Sequence, residues 1–104
     1  MNFKGSLTTL ILQNLSRSPN HGYRIAQEIK QASKGVLDFK EGTLYPALHG
    51  LEAKKLITSS TRMENGRTRR YYKLTETGRK ALARERQEWL QFSGAISLIL
   101  QDAR

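Results

Sequence analysis

The run Glu41-Gly42-Thr43-Leu44-Tyr45-Pro46-Ala47-Leu48-His49-Gly50-Leu51-Glu52 precedes a basic segment that turns at Asn65-Gly66. The first run puts a hydroxyl, a phenol and an imidazole (Thr43, Tyr45, His49) on a short helix. The second puts Arg62, Arg67 and Arg69 around a tight turn. Hydroxyls and guanidinium forks donate hydrogen bonds to phosphate oxygens and base edges. A short helix joined to a cationic β-ribbon is therefore suited to gripping a nucleic-acid duplex.

Charge and its placement support that chemistry. The 104 residues carry 18 Lys and Arg against 9 Asp and Glu, a formal net charge of +9, which favours a polyanionic partner. Residues 1–55, 56–75 and 76–104 hold excesses of +4, +4 and +1. The twenty-residue hairpin region thus matches the excess of the first fifty-five residues, as a localised phosphate-binding appendage requires.

Other chemistry is excluded by what is missing. With no cysteine, disulfides, thiolate catalysis and thiolate metal sites are ruled out, and a reducing cytoplasmic setting is expected. There are two His, no phosphate-binding Gly-rich loop with its Lys, no nucleophile elbow, and no His or carboxylate spacing that would hold a metal. No enzymatic activity, cofactor or metal is expected. The opening Met1-Asn2-Phe3-Lys4 and the interrupted apolar positions after it read as neither signal peptide nor membrane span, so no membrane partner is expected.

The elements that must position these residues follow from periodicity. Phe3, Leu7, Leu10, Ile11 and Leu15 form one helical stripe, with Leu12 off it as a second buried contact. After the turn Ser16-Arg17-Ser18-Pro19-Asn20, either Asn20 or His21 can cap a second helix. Its core stripe is Ile25, Ala26, Ile29 and Ala32, and Gly35 is placed to end it in a left-handed cap. Val36-Leu37-Asp38-Phe39 reads as an extended link. A third helix, 41–54, faces Leu44, Leu48 and Leu51 inward, with Pro46 expected among its unpaired first-turn amides.

Ile57 to Met63 and Thr68 to Leu74 predict strands, and Asn65-Gly66 supplies the positive-φ pair of a hairpin turn. Of Tyr71 and Tyr72, only one can face the core. Arg70, out of phase with Arg69, shares a face with Tyr72 and Leu74 and reads as an intramolecular partner. Thr75 caps a long last helix in which Leu82, Trp89 and Ile96 are seven apart, as are Phe92 and Ile99, making a seam for another helix. Glu85 interrupts the second series, and Gly94 marks a bend or a close approach.

The fold class predicted is mainly α with a small β-hairpin wing: a winged helix-turn-helix over residues 1–75 and a C-terminal dimerisation helix over 76–104, as one structural unit. Its motifs resemble the PadR family of bacterial transcriptional regulators. They are His21-Gly22-Tyr23, Gly42-Thr43-Leu44-Tyr45-Pro46-Ala47-Leu48, Leu51-Glu52 with Leu56-Ile57, and Arg70-Tyr71-Tyr72-Lys73-Leu74-Thr75-x-x-Gly78. The resemblance spans about residues 5 to 82. The single C-terminal helix is similar to the compact subfamily, in which that helix and the first one build a homodimer.

The resemblance implies a repressor that inserts helix 41–54 into the major groove, where a helix fits and its positive end favours phosphate. Lys40, Thr43, Tyr45, Pro46 and His49 are then its contact candidates. Tyr23 gives a phosphate a hydroxyl hydrogen bond, and Arg62, Arg67 and Arg69 in the wing, 62–69, reach the minor groove or backbone. Tyr45 packing over the helix start, and a merely solvated wing, are the competing readings; His21 reads as a cap.

Two-fold symmetry implies double-stranded DNA with a pseudo-palindromic operator. Leu82, Trp89, Phe92, Ile96 and Ile99 are the expected dimer interface. Trp89 has a default reading as interface core. In some compact members of the resembled family a tryptophan in this region stacks planar apolar ligands, which would make Trp89, Phe92 and Ile96 an effector site. The alternative function is an RNA-binding or protein-interaction winged-helix module without sequence-specific DNA binding.

Overall fold

Leu7, Ile11 and Leu15 lie on one side of a helix with 3.6 residues per turn, and they form the buried face of α1, Gly5–Leu15. The protein is seen in a computed structural model that describes residues 5–101; Phe3, assigned to the same stripe, lies outside them. Leu12, off the stripe, is fully buried, and Leu10 is half-buried. Helix α1 is therefore packed on several sides, touching each of the three later helices and the wing strand Arg67–Leu74.

Helix α2, Gly22–Ala32, buries Gly22, Ile25 and Ile29. Ala32, expected in that core stripe, is exposed, because the helix outruns the core by its last turn. His21 is the N-cap: its Nδ1 accepts the Arg24 amide at 3.4 Å. Asn20, the other candidate, accepts the His21 amide instead, at 2.9 Å. At the far end Lys34, at φ 54°, takes the left-handed position expected of Gly35, which follows at φ 85°. The Gly35 amide reaches the Lys30 carbonyl (2.8 Å) and the Lys34 amide the Gln31 carbonyl (3.1 Å), closing a Schellman motif. In the link that follows, Phe39 joins the core.

Helix α3, Glu41–Ala53, has Lys54 as its C-cap. Pro46 is its sixth residue, one turn further in than expected, so it withholds an N–H from the Gly42 carbonyl. Gly42 is exposed, and water can satisfy that carbonyl. Leu44, Leu48 and Leu51 are buried, as their spacing predicts.

Strands β2, Ile57–Glu64, and β3, Arg67–Leu74, pair antiparallel from Ile57↔Leu74 to Glu64↔Arg67. Asn65 (φ 52°) and Gly66 (φ 76°) make the turn with the two left-handed residues a primed hairpin needs. The sheet also has a third strand that the sequence pattern does not announce. Asn20–His21, β1, pairs with Tyr72 and Tyr71 to give the order β1-β3-β2. Tyr72 faces the core, and Tyr71, on the opposite face, is nonetheless buried. The expectation that only one tyrosine faces the core therefore stands, but the other is not left to solvent.

Helix α4, Glu76–Gln101, is capped by Thr75, whose Oγ1 accepts the Gly78 amide at 2.9 Å. The Thr75 amide donates to the Leu56 carbonyl at 3.1 Å. A Cβ on Gly78 would lie 2.1 Å from that same carbonyl oxygen, so the close approach of α4 to the α3–β2 link requires glycine here. Ala81 and Leu82 complete the core. Leu82, expected in an intermolecular seam, is thus engaged inside its own subunit. Glu85 accepts a 2.6 Å hydrogen bond from Thr9 Oγ1 of α1, which accounts for a charge in an apolar series. Gly94 meets nothing within 4 Å, and α4 runs through it as one helix.

Replacing Gly78 with Ala should cost about 3 kcal/mol of folding stability, the upper end of an overpacking substitution whose contact is backbone. Urea unfolding followed by circular dichroism measures this. A midpoint equal to that of the wild type would mean that the junction relaxes freely.

Candidate nucleic-acid interface

The inward leucines of α3 leave the opposite side of the helix to solvent. Thr43, Pro46 and His49 are all exposed there, with Gly42 and Gly50 between them. Without side chains the two glycines let another surface approach the helix backbone closely. Tyr45, one turn before His49, stands at the edge of this face. Its ring lies half-buried on Gly22, where an added Cβ would sit 2.8 Å from the tyrosine hydroxyl oxygen. That contact ties the start of α2 to the first turns of α3 and explains a glycine after the His21 cap.

Lys40 occupies the N-cap of α3 without a side-chain capping bond. Its ammonium is 3.3 Å from Asp38 Oδ2, which Lys30 also approaches at 3.5 Å. The hydrogen bond from Lys40, reinforced by the Lys30 charge, holds the Asp38 carboxyl below its ordinary pKa. Tyr23 projects from the first turn of α2, 58% exposed, and its hydroxyl accepts from Gln27 Nε2 at 3.2 Å. Tyr23, Lys40 and Tyr45 line one groove between α2, the link and the start of α3.

In the wing the three arginines differ. Arg67 stands exposed beside the turn. The Arg62 guanidinium carbon lies 4.0 Å from the Tyr71 ring centroid, a cation–π contact. Arg69 Nε is 3.5 Å from Glu64 Oε1. The Tyr71 hydroxyl donates to Glu64 Oε2, and this bond raises the phenol's pKa above its ordinary value. His21 meets the same ring edge-on, with centroids 5.4 Å apart. Burial, and then the charges of Arg69 and Arg24, lower the His21 pKa. A neutral imidazole is what the Nδ1 capping bond needs.

Arg70 points to the other face, as its phase predicts. Its Nη1 lies 3.2 Å from Ser59 Oγ and 3.9 Å from Glu52 Oε1, joining the wing to the end of α3. Sequence reasoning missed the acidic halves of these contacts, Glu52 and Glu64. It also missed the buried Asn20, which donates to Asn14 Oδ1 (2.9 Å) and Glu28 Oε1 (3.1 Å). For Glu64 a signal existed: once Asn65-Gly66 sets the register, Glu64 and Arg69 are diagonal neighbours on one face.

Beyond Glu85, α4 leaves the core. Trp89, Phe92, Ile96 and Ile99 are 40–70% exposed, and the Trp89 and Phe92 rings lie 6.1 Å apart at a 40° tilt. Among the described residues no cluster of His, Asp and Glu could hold a metal, and no helix is long and apolar enough to cross a membrane.

A three-helix core with a helix presented beside a cationic two-stranded wing, followed by a long C-terminal helix, defines a winged helix-turn-helix. Residues 11–84 match the model of the transcriptional regulator PadR-like family, and the chain belongs to that family. The family is one of transcriptional regulators, not enzymes.

The chain is 41% identical over 76 residues to transcriptional regulator Rv3488 of Mycobacterium tuberculosis, covering 73% of this chain and 68% of the relative. A PadR family transcription regulator from Clostridium difficile superposes with a TM-score of 0.80 at 33% identity, over 92% of this chain and 99% of that one. A transcriptional regulator from Clostridium thermocellum gives 0.82 at 29% identity, over 97% and 93%.

The His21 environment makes stability depend on pH. Unfolded imidazole takes up its proton near the ordinary value of 6.5, whereas the folded ring does so only at lower pH. The cap's contribution is therefore complete above about pH 6.5 and is lost as pH falls through the folded value. Melting temperatures from pH 8 to 5 should fall more for the wild type than for His21→Asn, which keeps a side-chain acceptor but does not titrate. Parallel curves would show that His21 is not the titrating group.

Proposed function

We infer that this protein is a sequence-specific DNA-binding repressor of transcription that works as a cytoplasmic homodimer. The observation that carries the reading is the junction of the exposed Thr43–Pro46–His49 face of α3 with the arginine-rich wing, held together by Arg70, Ser59 and Glu52. Such a helix enters the major groove N-terminal end first, while the wing lies along the minor groove or backbone. Thr43, Pro46 and His49 contact base edges and nearby phosphates; Tyr23, Lys40 and the wing arginines contact the backbone. Tyr45 acts chiefly by seating α3 on Gly22.

Family membership supports regulation, and the apolar face of α4 supports a dimer. From Arg86 onward the helix runs about 24 Å, with Trp89, Phe92, Ile96 and Ile99 uncovered within one subunit. Pairing two such faces removes them from water and makes the DNA-binding unit two-fold symmetric. A pseudo-palindromic operator with half-sites about 10 base pairs apart, or a multiple of that, is then required. On the same face the uncovered rings of Trp89 and Phe92, with Ile96, offer stacking walls for a planar apolar effector. An effector of this kind regulates only by binding the DNA-competent and incompetent dimers unequally.

The test is fluorescence anisotropy on the duplex upstream of the protein's own gene, a shuffled duplex and matched RNA, across a salt series. The upstream duplex should bind tightest and retain binding at moderate salt. Equal, salt-labile binding to all three would leave only a basic surface and favour the RNA-binding or protein-interaction module. Thr43→Ala should weaken the specific duplex by roughly tenfold, about 1.4 kcal/mol, and leave the shuffled one unchanged. In light scattering, Trp89→Glu should halve the mass, because a buried unpaired charge opposes the seam. A variant that stayed dimeric would place the interface elsewhere.

A further inference from the structure

Glu64 is the one acidic side chain among residues 56–75, and it sits where the wing's cations converge. Arg62 and Glu64 of β2 share the outer face of the hairpin with Arg67, Arg69 and Tyr71 of β3. Arg67 is directly opposite Glu64, and Arg69 is its diagonal neighbour. One carboxylate oxygen lies 3.5 Å from Arg69 Nε, and the other accepts the Tyr71 hydroxyl. Tyr71 is only 6% exposed, with His21 at its edge and Arg62 over its ring. Glu64 is therefore no free surface carboxylate. A buried phenol fixes one oxygen and leaves the other facing an arginine.

We propose that Glu64 is a built-in stand-in for DNA phosphate, which occupies Arg69 in the free protein and lowers affinity for any duplex. The proposal rests on the wing being a DNA contact. The carboxylate oxygen left free by Tyr71 offers the guanidinium an anionic acceptor like a phosphate oxygen. Both partners are more than a third exposed (36% and 38%), so the pair is weak enough to exchange. After exchange the anchored carboxylate stays within a few ångströms of the incoming phosphate and repels it. Arg67, for which no ion pair is seen among the described residues, is then the wing's full-strength cation. Arg69 acts at reduced strength. The carboxylate acts on backbone contacts, so specific and random duplexes are weakened alike.

Anisotropy on a labelled random-sequence duplex, from about 50 to 200 mM salt, tests this. Glu64→Gln keeps an acceptor for the Tyr71 hydroxyl and removes the charge, with thermal melting as the folding control. Affinity should rise about tenfold, and the plot of log affinity against log salt should steepen by more than half of about 0.9, the value of one full phosphate contact. Adding Arg69→Gln should cancel both gains.

A second arm needs no change at Glu64: in the native background Arg69→Gln should cost less than half the salt slope that Arg67→Gln costs. Unchanged or weaker binding by a natively melting Glu64→Gln protein would overturn the proposal, as would equal slope losses for Arg67 and Arg69. Wild-type protein that binds no duplex would overturn the functional reading and this proposal together.

Discussion

The Leu56 carbonyl is the point on which the parts of this fold are aligned. It accepts the Thr75 amide, and it lies where a side chain on residue 78 would have to be. The Leu56 amide in turn bonds the Leu51 carbonyl at the end of α3, with Lys55 at φ 62° making the left-handed turn. One residue thus joins the exit of α3, the base of β2 and the start of α4. Thr75 reinforces the joint through its hydroxyl, which lies 2.8 Å and 3.0 Å from the Lys55 and Leu56 carbonyls. Buried backbone groups are costly unless paired, and here pairing the orphan groups of two helix ends sets the angle between them.

Much of this was legible because it is local. Helix stripes, the Asn65-Gly66 turn and the Thr75 cap depend on spacing and on residue chemistry within a few positions. What was hidden depends on partners distant in sequence. A two-residue strand such as Asn20–His21 has no periodicity to detect; it exists because β3 offers an edge at Tyr71 and Tyr72. The heptad series could not say that Leu82 packs within the core while Trp89 does not, since both sit in one series and only the reach of α1 separates them. Ala32 fits its stripe but lies beyond the core. Lys34 and Lys55 take left-handed positions where glycine is commoner, because the Schellman bonds around them outweigh a modest conformational cost.

At the candidate interface the sequence showed where the cations are but not what they touch. Lys40, Arg62 and Arg69 each have a partner inside the subunit: Asp38, the Tyr71 ring and Glu64. Exposed ion pairs contribute little to stability, with a median of about 0–1 kcal/mol, so these contacts serve to place side chains more than to hold the fold. Arg62, held over the Tyr71 ring by an uncharged partner, would lose less freedom on meeting a phosphate. The formal charge of +9 therefore does not tell the paired cations from the unpaired ones, nor how well some of them are aimed.

Helix α4 carries the exposed apolar side chains Trp89, Phe92, Ile96 and Ile99 away from the candidate interface. Its first turns are fixed twice, by the Leu56 joint and by the Thr9–Glu85 hydrogen bond to α1. If two copies pair through Trp89, Phe92, Ile96 and Ile99, the crossing angle of the two helices sets the separation of the two α3 faces. With half-sites one helical turn apart, about 34–36 Å, a small rotation at the seam becomes a displacement of several ångströms at the groove. A molecule wedged beside Trp89 would need no contact with the wing to alter DNA binding. It would only have to favour one crossing angle over another.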